Sequence, residues 1–242
     1  MSPLRALLLK DARVVYRDRF LLFLPVYAVA LAVVARFGAP ALPLEAFPVY
    51  LAPLVVLFGA LLLGNVLGFA LIEEREQGTW LLLRVLPVGE KVLFAYLGIA
   101  TSLLGWCLSL VAALAYGQRV ADPPGFLLMT AAASLTAPLA MLVLGALAHN
   151  KVEGLAVTKI FNLVTTVPAV VFVAPPEWQL LAAWCPWYWA YLGLLEAYAG
   201  SPAQLPAVHW PGWSLATSAT ATALLSLAAF LLLARAYTRR AG

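Results

Sequence analysis

Long apolar runs separated by short polar segments dominate the chain. A helix that crosses the bilayer core needs about 20 mostly apolar residues. Six runs approach or reach that length, and the first of them is the shortest and contains Pro25. The pattern predicts an all-α polytopic membrane protein with six transmembrane helices. The predicted spans are Phe20–Ala35, Val49–Ile72, Val92–Tyr116, Gly125–Ala148, Leu155–Ala174 and Trp213–Ala236.

Lysine and arginine are distributed unequally between the segments that join these spans. With the N-terminus in the cytoplasm, thirteen of the basic residues lie on the cytoplasmic side of the membrane. Only two, Arg36 and Arg119, lie on the other side. Because cytoplasmic loops carry an excess of positive charge, this asymmetry predicts that both termini are cytoplasmic and that residues 20–242 form one transmembrane domain.

A further apolar segment, Glu177–Tyr198, is rich in Trp and Tyr and contains Pro186. As a seventh span it would place the three C-terminal arginines outside, against the charge asymmetry. We therefore interpret residues 175–212 as an external re-entrant segment, a helical hairpin with its aromatic rings at headgroup level. Its candidate outer-gate residues are Trp184, Trp187 and Tyr188; an interface belt without a functional role is the alternative.

Composition narrows the possible function classes. Hydrophobic residues make up 64% of the chain and charged residues 11%, against roughly 45–50% and about 25% in soluble domains. This excludes a soluble enzyme, a disordered chain and a disulfide scaffold. Cys107 and Cys185 form no CxxC pair and are far in sequence from His149 and His209, so no metal site is predicted.

Ionisable and catalytic residue types are scarce inside the predicted spans. Asp, Glu, Lys and Arg are absent from the central part of each predicted span, which argues against transport driven by protons or sodium. The sequence has no HExxH motif and no GxxxxGK[ST] phosphate loop. We therefore predict no catalytic residue and no cofactor bound by this chain.

Mildly polar side chains supply the candidates for a translocation path. Asn65, Asn162 and Thr166 are the strongest of them, because an amide is costly to face toward lipid. The alternative role is hydrogen bonding between helices, worth roughly 0.6 kcal/mol on average. Ala60, Gly64 and Gly68 recur at four-residue spacing, which predicts close helix packing, either within one subunit or at a dimer seam.

Two cytoplasmic segments have a more specific pattern. In residues 1–19, apolar and basic residues recur at helical spacing. This pattern predicts an amphipathic helix on the inner leaflet, with Lys10, Arg13 and Arg17 forming its basic face. It is either a topology anchor or a lever that joins the spans to a partner.

The second segment, residues 73–91, opens with a charged cluster and continues as a short apolar run that contains Trp80 and ends at Pro87. An exposed apolar helix in the cytoplasm normally binds in a protein groove.

The run EEREQGTWLLLRVLPVGEK, residues 73–91, resembles the signature loop of ABC type-2 transporter permeases, with Trp80 where that family more usually has Leu. The run HNKVEGLAVTKIFNLVTTVP, residues 149–168, is similar to the drug-export branch, which includes fluoroquinolone export permeases. The layout of an amphipathic helix, six spans and a re-entrant element is also similar.

This resemblance implies a permease subunit of an ATP-driven exporter in the bacterial cytoplasmic (inner) membrane. Such a permease moves an amphipathic drug-like compound or a lipid outward, and can confer multidrug resistance. Two copies of a separate ATP-binding subunit hold ATP and Mg, a second permease copy or paralogue completes the transporter, and no nucleic acid is involved. The residues expected to dock the ATP-binding subunit are Glu73, Glu74, Glu76, Gly78, Thr79, Trp80, Leu83, Arg84 and Pro87.

Other functions stay open at this point. A haem- or polysaccharide-export permease has a similar layout, although His149 and His209 fall on opposite sides of the membrane and offer no haem-ligand pair. A membrane anchor or regulatory subunit of a signalling or secretion complex would also need a docking loop. A membrane enzyme is disfavoured, because the spans contain no paired carboxylates and no nucleophile–base pair.

Overall fold

The computed structural model describes residues 19–41, 47–78, 89–168, 175, 179–200 and 214–241. The predicted amphipathic helix with Lys10, Arg13 and Arg17 lies outside these residues, as do Thr79, Trp80, Leu83, Arg84 and Pro87. The described part of the chain is all-helical, with short 3-10 turns at Ala39–Ala41 and Leu180–Ala182. The helices are α1 (Arg19–Gly38), α2 (Phe47–Glu76), α3 (Gly89–Tyr116), α4 (Pro123–Ser134), α5 (Ala137–Leu147), α6 (Lys151–Thr165), α7 (Pro186–Ala199) and α8 (Leu215–Ala241).

Four helical segments are long and apolar enough to cross a membrane, and they coincide with the second, third, fourth and sixth predicted spans. They are Pro48–Glu76, Val92–Tyr116, Pro123–Leu147 and Leu215–Arg239. In α1 the apolar helix counted from Pro25 to Gly38 is shorter than a span, and α6 has 15 residues. The predicted fifth span continues over residues 169–174, which lie outside the described part.

The fourth span is two helices rather than one. Pro138 follows the turn at Leu135 and Thr136, near the start of α5. Because proline has no N–H and its ring crowds the preceding turn, it interrupts the helical hydrogen bonds. The backbone N–H groups of Leu135 and Thr136 instead bond the carbonyls of Ala132 and Ala133. The continuous apolar run concealed this break.

Helix α2 is the centre of the bundle and packs against α1, α3, α5 and α7. Its small residues allow the closest approach. A Cβ placed on Gly64 would overlap the carbonyl oxygen of Ala137 and lie 2.7 Å from the Cβ of Ala140, and one on Gly68 would lie 2.8 Å from the Cβ of Leu144. The four-residue spacing of small residues in α2 therefore serves packing within one subunit.

Helix α7 shows how the aromatic segment packs. Tyr188 and Tyr191 are fully buried and Trp187 is 5% exposed, so these rings pack among other helices and are not exposed to lipid. Helix α7 is apolar around most of its circumference, and such a helix is stable only when other helices surround it. It packs against α2, α4 and α8.

Candidate translocation and coupling sites

The two amides selected from the sequence meet in the structure. The Nδ2 of Asn65 in α2 donates a hydrogen bond to the Oδ1 of Asn162 in α6, at 3.3 Å. The Oδ1 of Asn65 is buried without a hydrogen-bond partner among the described residues. Thr166, four residues beyond Asn162, is exposed, and its hydroxyl donates to the carbonyl of Leu163. Asn65 and Asn162 thus form a hydrogen-bonded amide pair, and Thr166 lies one helical turn away on α6.

This amide pair lies in the middle part of α2. Asn65 is eleven residues from Glu76, the last residue of α2, a distance of about 16 Å at 1.5 Å per residue. The side chain next to Asn162 in α6, Phe161, packs edge-on against Trp187, with ring centroids 5.2 Å apart. The start of α7 therefore reaches the level of the amide pair.

The other end of α7 lies where α3 ends and α4 begins. The backbone N–H groups of Ala121 and Asp122 both donate to the carbonyl of Ala197, at 3.1 and 3.0 Å. Gly200 ends α7 in the left-handed conformation, at φ 80°. Helix α7 thus extends from the middle of the bundle to the end opposite Glu76.

The three candidate gate residues have different surroundings. Trp184 is 64% exposed, whereas Trp187 and Tyr188 are buried. The hydroxyl of Tyr188 lies 3.4 Å from Oε1 of Gln179. Trp187 lies against α6, through Phe161.

Helix α6 is buried on one side only. Gly154 and Phe161 face the bundle, and a Cβ on Gly154 would lie 2.8 Å from the ring of Phe69 in α2. The opposite side is open: Leu163 is 71% exposed and Ile160 is 67% exposed. A helix with this pattern presents its open side to its solvent or lipid surroundings, to a second protein or to a cavity.

At the other end of the bundle, Arg75 joins α2 to the turn between α5 and α6. Its guanidinium donates to the carbonyl of Gly145 at 3.0 Å and to the carbonyl of Ala148. The last carbonyls of a helix have no partner within the helix, so Arg75 satisfies the end of α5. Arg75 belongs to the signature run of residues 73–91, but its contacts could not be predicted from the sequence, because its partners are about 70 residues away.

Two glutamates complete this junction. Glu73 Oε2 lies 3.2 Å from Lys151 Nζ, and Glu76 Oε1 accepts from the backbone N–H of Lys151 at 3.3 Å. A carboxylate at the first turn of a helix also interacts favourably with the helix dipole. Two acidic residues expected to dock a partner therefore bind the start of α6 as well.

The start of α6 has its own cap. The Oδ1 of Asn150 accepts from the N–H of Glu153 at 2.9 Å, and the Oε2 of Glu153 accepts from the N–H of His149 at 2.8 Å. This resembles a capping box, in which the first and fourth residues of a helix start satisfy each other's backbone. The spacing Asn-x-x-Glu was visible in the sequence and could have placed this helix start.

Of the other docking residues, Glu74 and Gly78 lie in the described part. Glu74 is half-buried in the last turn of α2. Gly78 has a φ of 70° just beyond α2, and a side chain there would be strained. The glycine in the signature loop is thus required where α2 stops.

Glu196, near the end of α7, is expected to make the stability of the folded protein depend on pH. Burial raises the pKa of its carboxyl and the nearby Asp122 raises it further, while a hydrogen bond from the backbone of Leu215 lowers it. A raised pKa means that the folded state holds the proton more tightly than the unfolded state. Stability from this group is therefore full at low pH and is lost as the pH rises through its raised pKa.

We expect Glu196→Gln to flatten this pH dependence, because the amide keeps a neutral group at that position. The measurement is the melting temperature of the purified protein between pH 4 and pH 8. Asp122→Asn, which removes the repelling charge, should reduce the slope only in part. Equal slopes in Glu196→Gln and the parent would show that Glu196 does not titrate as described.

Comparison with known proteins identifies the family of this chain. A family profile described as "Fluoroquinolones export permease protein Rv2686c-like" matches residues 11–233. The chain belongs to this family. The permease is therefore a membrane transport subunit of an exporter family, and the resemblance drawn from residues 73–91 and 149–168 is confirmed at the level of the family.

Two curated relatives of the permease come from Mycobacterium tuberculosis. They are the fluoroquinolones export permease protein MT2760 of strain CDC 1551 / Oshkosh and the fluoroquinolones export permease protein Rv2686c of strain ATCC 25618 / H37Rv. Each is 26% identical to the permease over 148 residues. The match covers 60% of the permease and 58% of each relative, so it spans less than two thirds of their length.

Proposed function

We propose that this chain is the membrane subunit of an ATP-driven ABC exporter that moves amphipathic drug-like compounds, fluoroquinolones among them, out of the bacterial cytoplasm. The family match over residues 11–233 is the observation that carries this proposal. The relatives are named as fluoroquinolones export permeases, which suggests the substrate class. Both termini are cytoplasmic in this proposal.

The energy for transport comes from a separate subunit. The sequence has no phosphate-binding loop, so two copies of an ATP-binding partner supply ATP, Mg and hydrolysis. In the proposal the partner binds the loop that follows α2, through Trp80 and its neighbours, and contacts the basic residues Lys10, Arg13 and Arg17. A second permease copy or paralogue completes the transporter.

The junction at Arg75 explains how movement of that loop could reach the translocation path. Helix α2 leads directly into the docking loop, and Arg75, Glu73 and Glu76 tie its end to the α5–α6 turn. A push on the loop therefore acts on α2 and α6 together. These are the two helices that carry the Asn65–Asn162 pair, which we place on the substrate path with Thr166.

In the same proposal, the aromatic segment closes the outer half of the path. Helix α7 extends only from the level of Trp187 to the end of the bundle, as a re-entrant helix would. Trp184, Trp187 and Tyr188 then form an outer gate, with the buried Trp187 against α6. Movement of α6 would shift Phe161 and so release Trp187.

Co-purification tests the docking step. We expect the tagged chain, purified from its native membrane, to bring a P-loop ATPase in roughly equal amount. Trp80→Glu places a charge in an apolar groove and should lower the bound ATPase by about tenfold or more. Glu76→Arg should also weaken binding, because it reverses a charge at the end of α2.

Gln77→Ala, at the same helix end, is the matched control and should bind the ATPase as the parent does. Among the described residues, the side chain of Gln77 bonds Glu73 alone, through an exposed contact. A parent chain that purifies as an oligomer without an ATPase would instead favour the non-transporting anchor. ATPase binding unchanged in Trp80→Glu would show that the loop does not dock it.

A further inference from the structure

Lys159 lies in an unusual place for a charged residue. It is the ninth residue of α6, eight positions beyond Lys151, about 12 Å along the helix axis. Its side chain is exposed. Within the described ranges, the ion pairs near α6 join Lys151 to Glu73 and His149 to Glu153, and none involves Lys159.

The surroundings of Lys159 on the open side of α6 are apolar. Leu155 is 57% exposed, Ile160 is 67% exposed and Leu163 is 71% exposed. A cation among such residues in a membrane helix is costly unless it faces a water-filled cavity or pairs with an anion. The described part of this chain supplies no anionic partner for Lys159, so a bound anion or a water-filled path would offset this cost.

The spacing along α6 brings other polar groups to the same flank. Lys159, Asn162 and Thr166 are at positions i, i+3 and i+7, which share one side of a helix. Asn65 binds the Oδ1 of Asn162, and this bond leaves the Nδ2 of Asn162 to donate. An ammonium and an amide N–H in one row are donors that a carboxylate accepts, while the hydroxyl of Thr166 already donates to the carbonyl of Leu163.

We propose that Lys159 recognises the carboxylate of an amphipathic organic acid during export, with Asn162 as a second donor. The apolar body of the substrate lies along Leu155 and Leu163. Lys159 thereby selects acidic over neutral substrates. This inference deepens the proposed export function and rests on it. A lipid phosphate offers similar anionic chemistry, and the test separates the two sources.

Two matched probes test the proposal: a fluoroquinolone with a free carboxyl group, and its methyl ester. Binding of each is measured by equilibrium dialysis to the purified full-length chain in nanodiscs made of zwitterionic lipid, with and without added anionic lipid. We expect Lys159→Gln to weaken binding of the acid at least tenfold and to leave binding of the ester within about twofold. Lys159→Arg should restore most of the binding of the acid.

Arg239→Gln is the control, because it removes the same charge from an exposed position at the end of α8. Unchanged binding of the acid in Lys159→Gln, or an equal loss for both probes, would overturn the role of Lys159 while export stands. If Lys159→Gln weakens binding of the acid in zwitterionic lipid but not when anionic lipid is added, the partner of Lys159 is a lipid headgroup. That result would also overturn the role of Lys159 in substrate recognition. A parent chain that binds neither probe would overturn the proposed drug export and this inference together.

Discussion

Gly64→Ala is expected to lower the melting temperature of the purified protein by about 4–8 °C. The new methyl group would overlap the carbonyl oxygen of Ala137 and lie 2.7 Å from the Cβ of Ala140. A backbone atom cannot move aside as a flexible side chain does, so α2 and α5 must separate. Overpacking of this kind costs about 1–3 kcal/mol. The overlap with a backbone oxygen puts Gly64→Ala at the upper end, about 3 kcal/mol, and the gain in helix propensity offsets about 1 kcal/mol.

Since 1 kcal/mol corresponds to about 2–4 °C in a domain of this size, a net loss of about 2 kcal/mol gives the stated range. The control is Gly38→Ala, which makes the same chemical change at the end of α1, where nothing lies within 4 Å of the new Cβ. It should melt within about 2 °C of the parent. A melting temperature of Gly64→Ala at or above that of the parent would contradict the close contact of α2 with α5.

Arg75→Gln is expected to have a larger effect, about 6–12 °C. The substitution removes charge-assisted hydrogen bonds to the carbonyls of Gly145 and Ala148. Bonds to charged groups are worth about 1.5–3 kcal/mol, and an acceptor left without a partner adds to the loss. We therefore expect a destabilisation of about 3 kcal/mol, measured as thermal unfolding in detergent.

Arg75→Lys separates charge from geometry. A lysine has one ammonium group, which lacks the planar fork of arginine, so it should recover only part of the stability. Gln77→Ala, two residues away, breaks an exposed side-chain contact with Glu73 and should have little effect. If Arg75→Gln melted with the parent, the junction between α2 and the α5–α6 turn would not hold the bundle together as described.

The apolar periodicity was sufficient to locate most of the long helices, because burial in lipid requires length and composition that are readable locally. It did not reveal the break before Pro138, because the run around Ser134, Thr136 and Pro138 is apolar overall and long enough for a single span. It also did not predict that Tyr188 and Tyr191 are buried between helices. Aromatic composition is the same for a ring at a membrane interface and for one inside a bundle, and only the neighbouring helices distinguish them.

The candidate sites also contain residues that the sequence identified and residues whose contacts it could not predict. Asn65 and Asn162 were selected because amides are costly in apolar surroundings, and that cost is also the reason why they meet. The partners of Arg75 could not be predicted, because they are backbone carbonyls of a distant helix end. Lys159 falls near the start of the predicted span Leu155–Ala174 and was counted with the cytoplasmic charges; because the helix begins at Lys151, it lies two turns into α6.

ATP-driven drug uptake into inside-out membrane vesicles tests the central claim most directly. The vesicles contain the permease and its co-purifying ATPase, and the probe is a fluoroquinolone. We expect uptake with ATP and Mg to exceed uptake with a non-hydrolysable analogue several-fold, and Glu76→Arg to abolish the difference. Equal uptake with and without hydrolysable ATP, in vesicles where the ATPase is active, would contradict the assignment of this chain as an ATP-driven export permease.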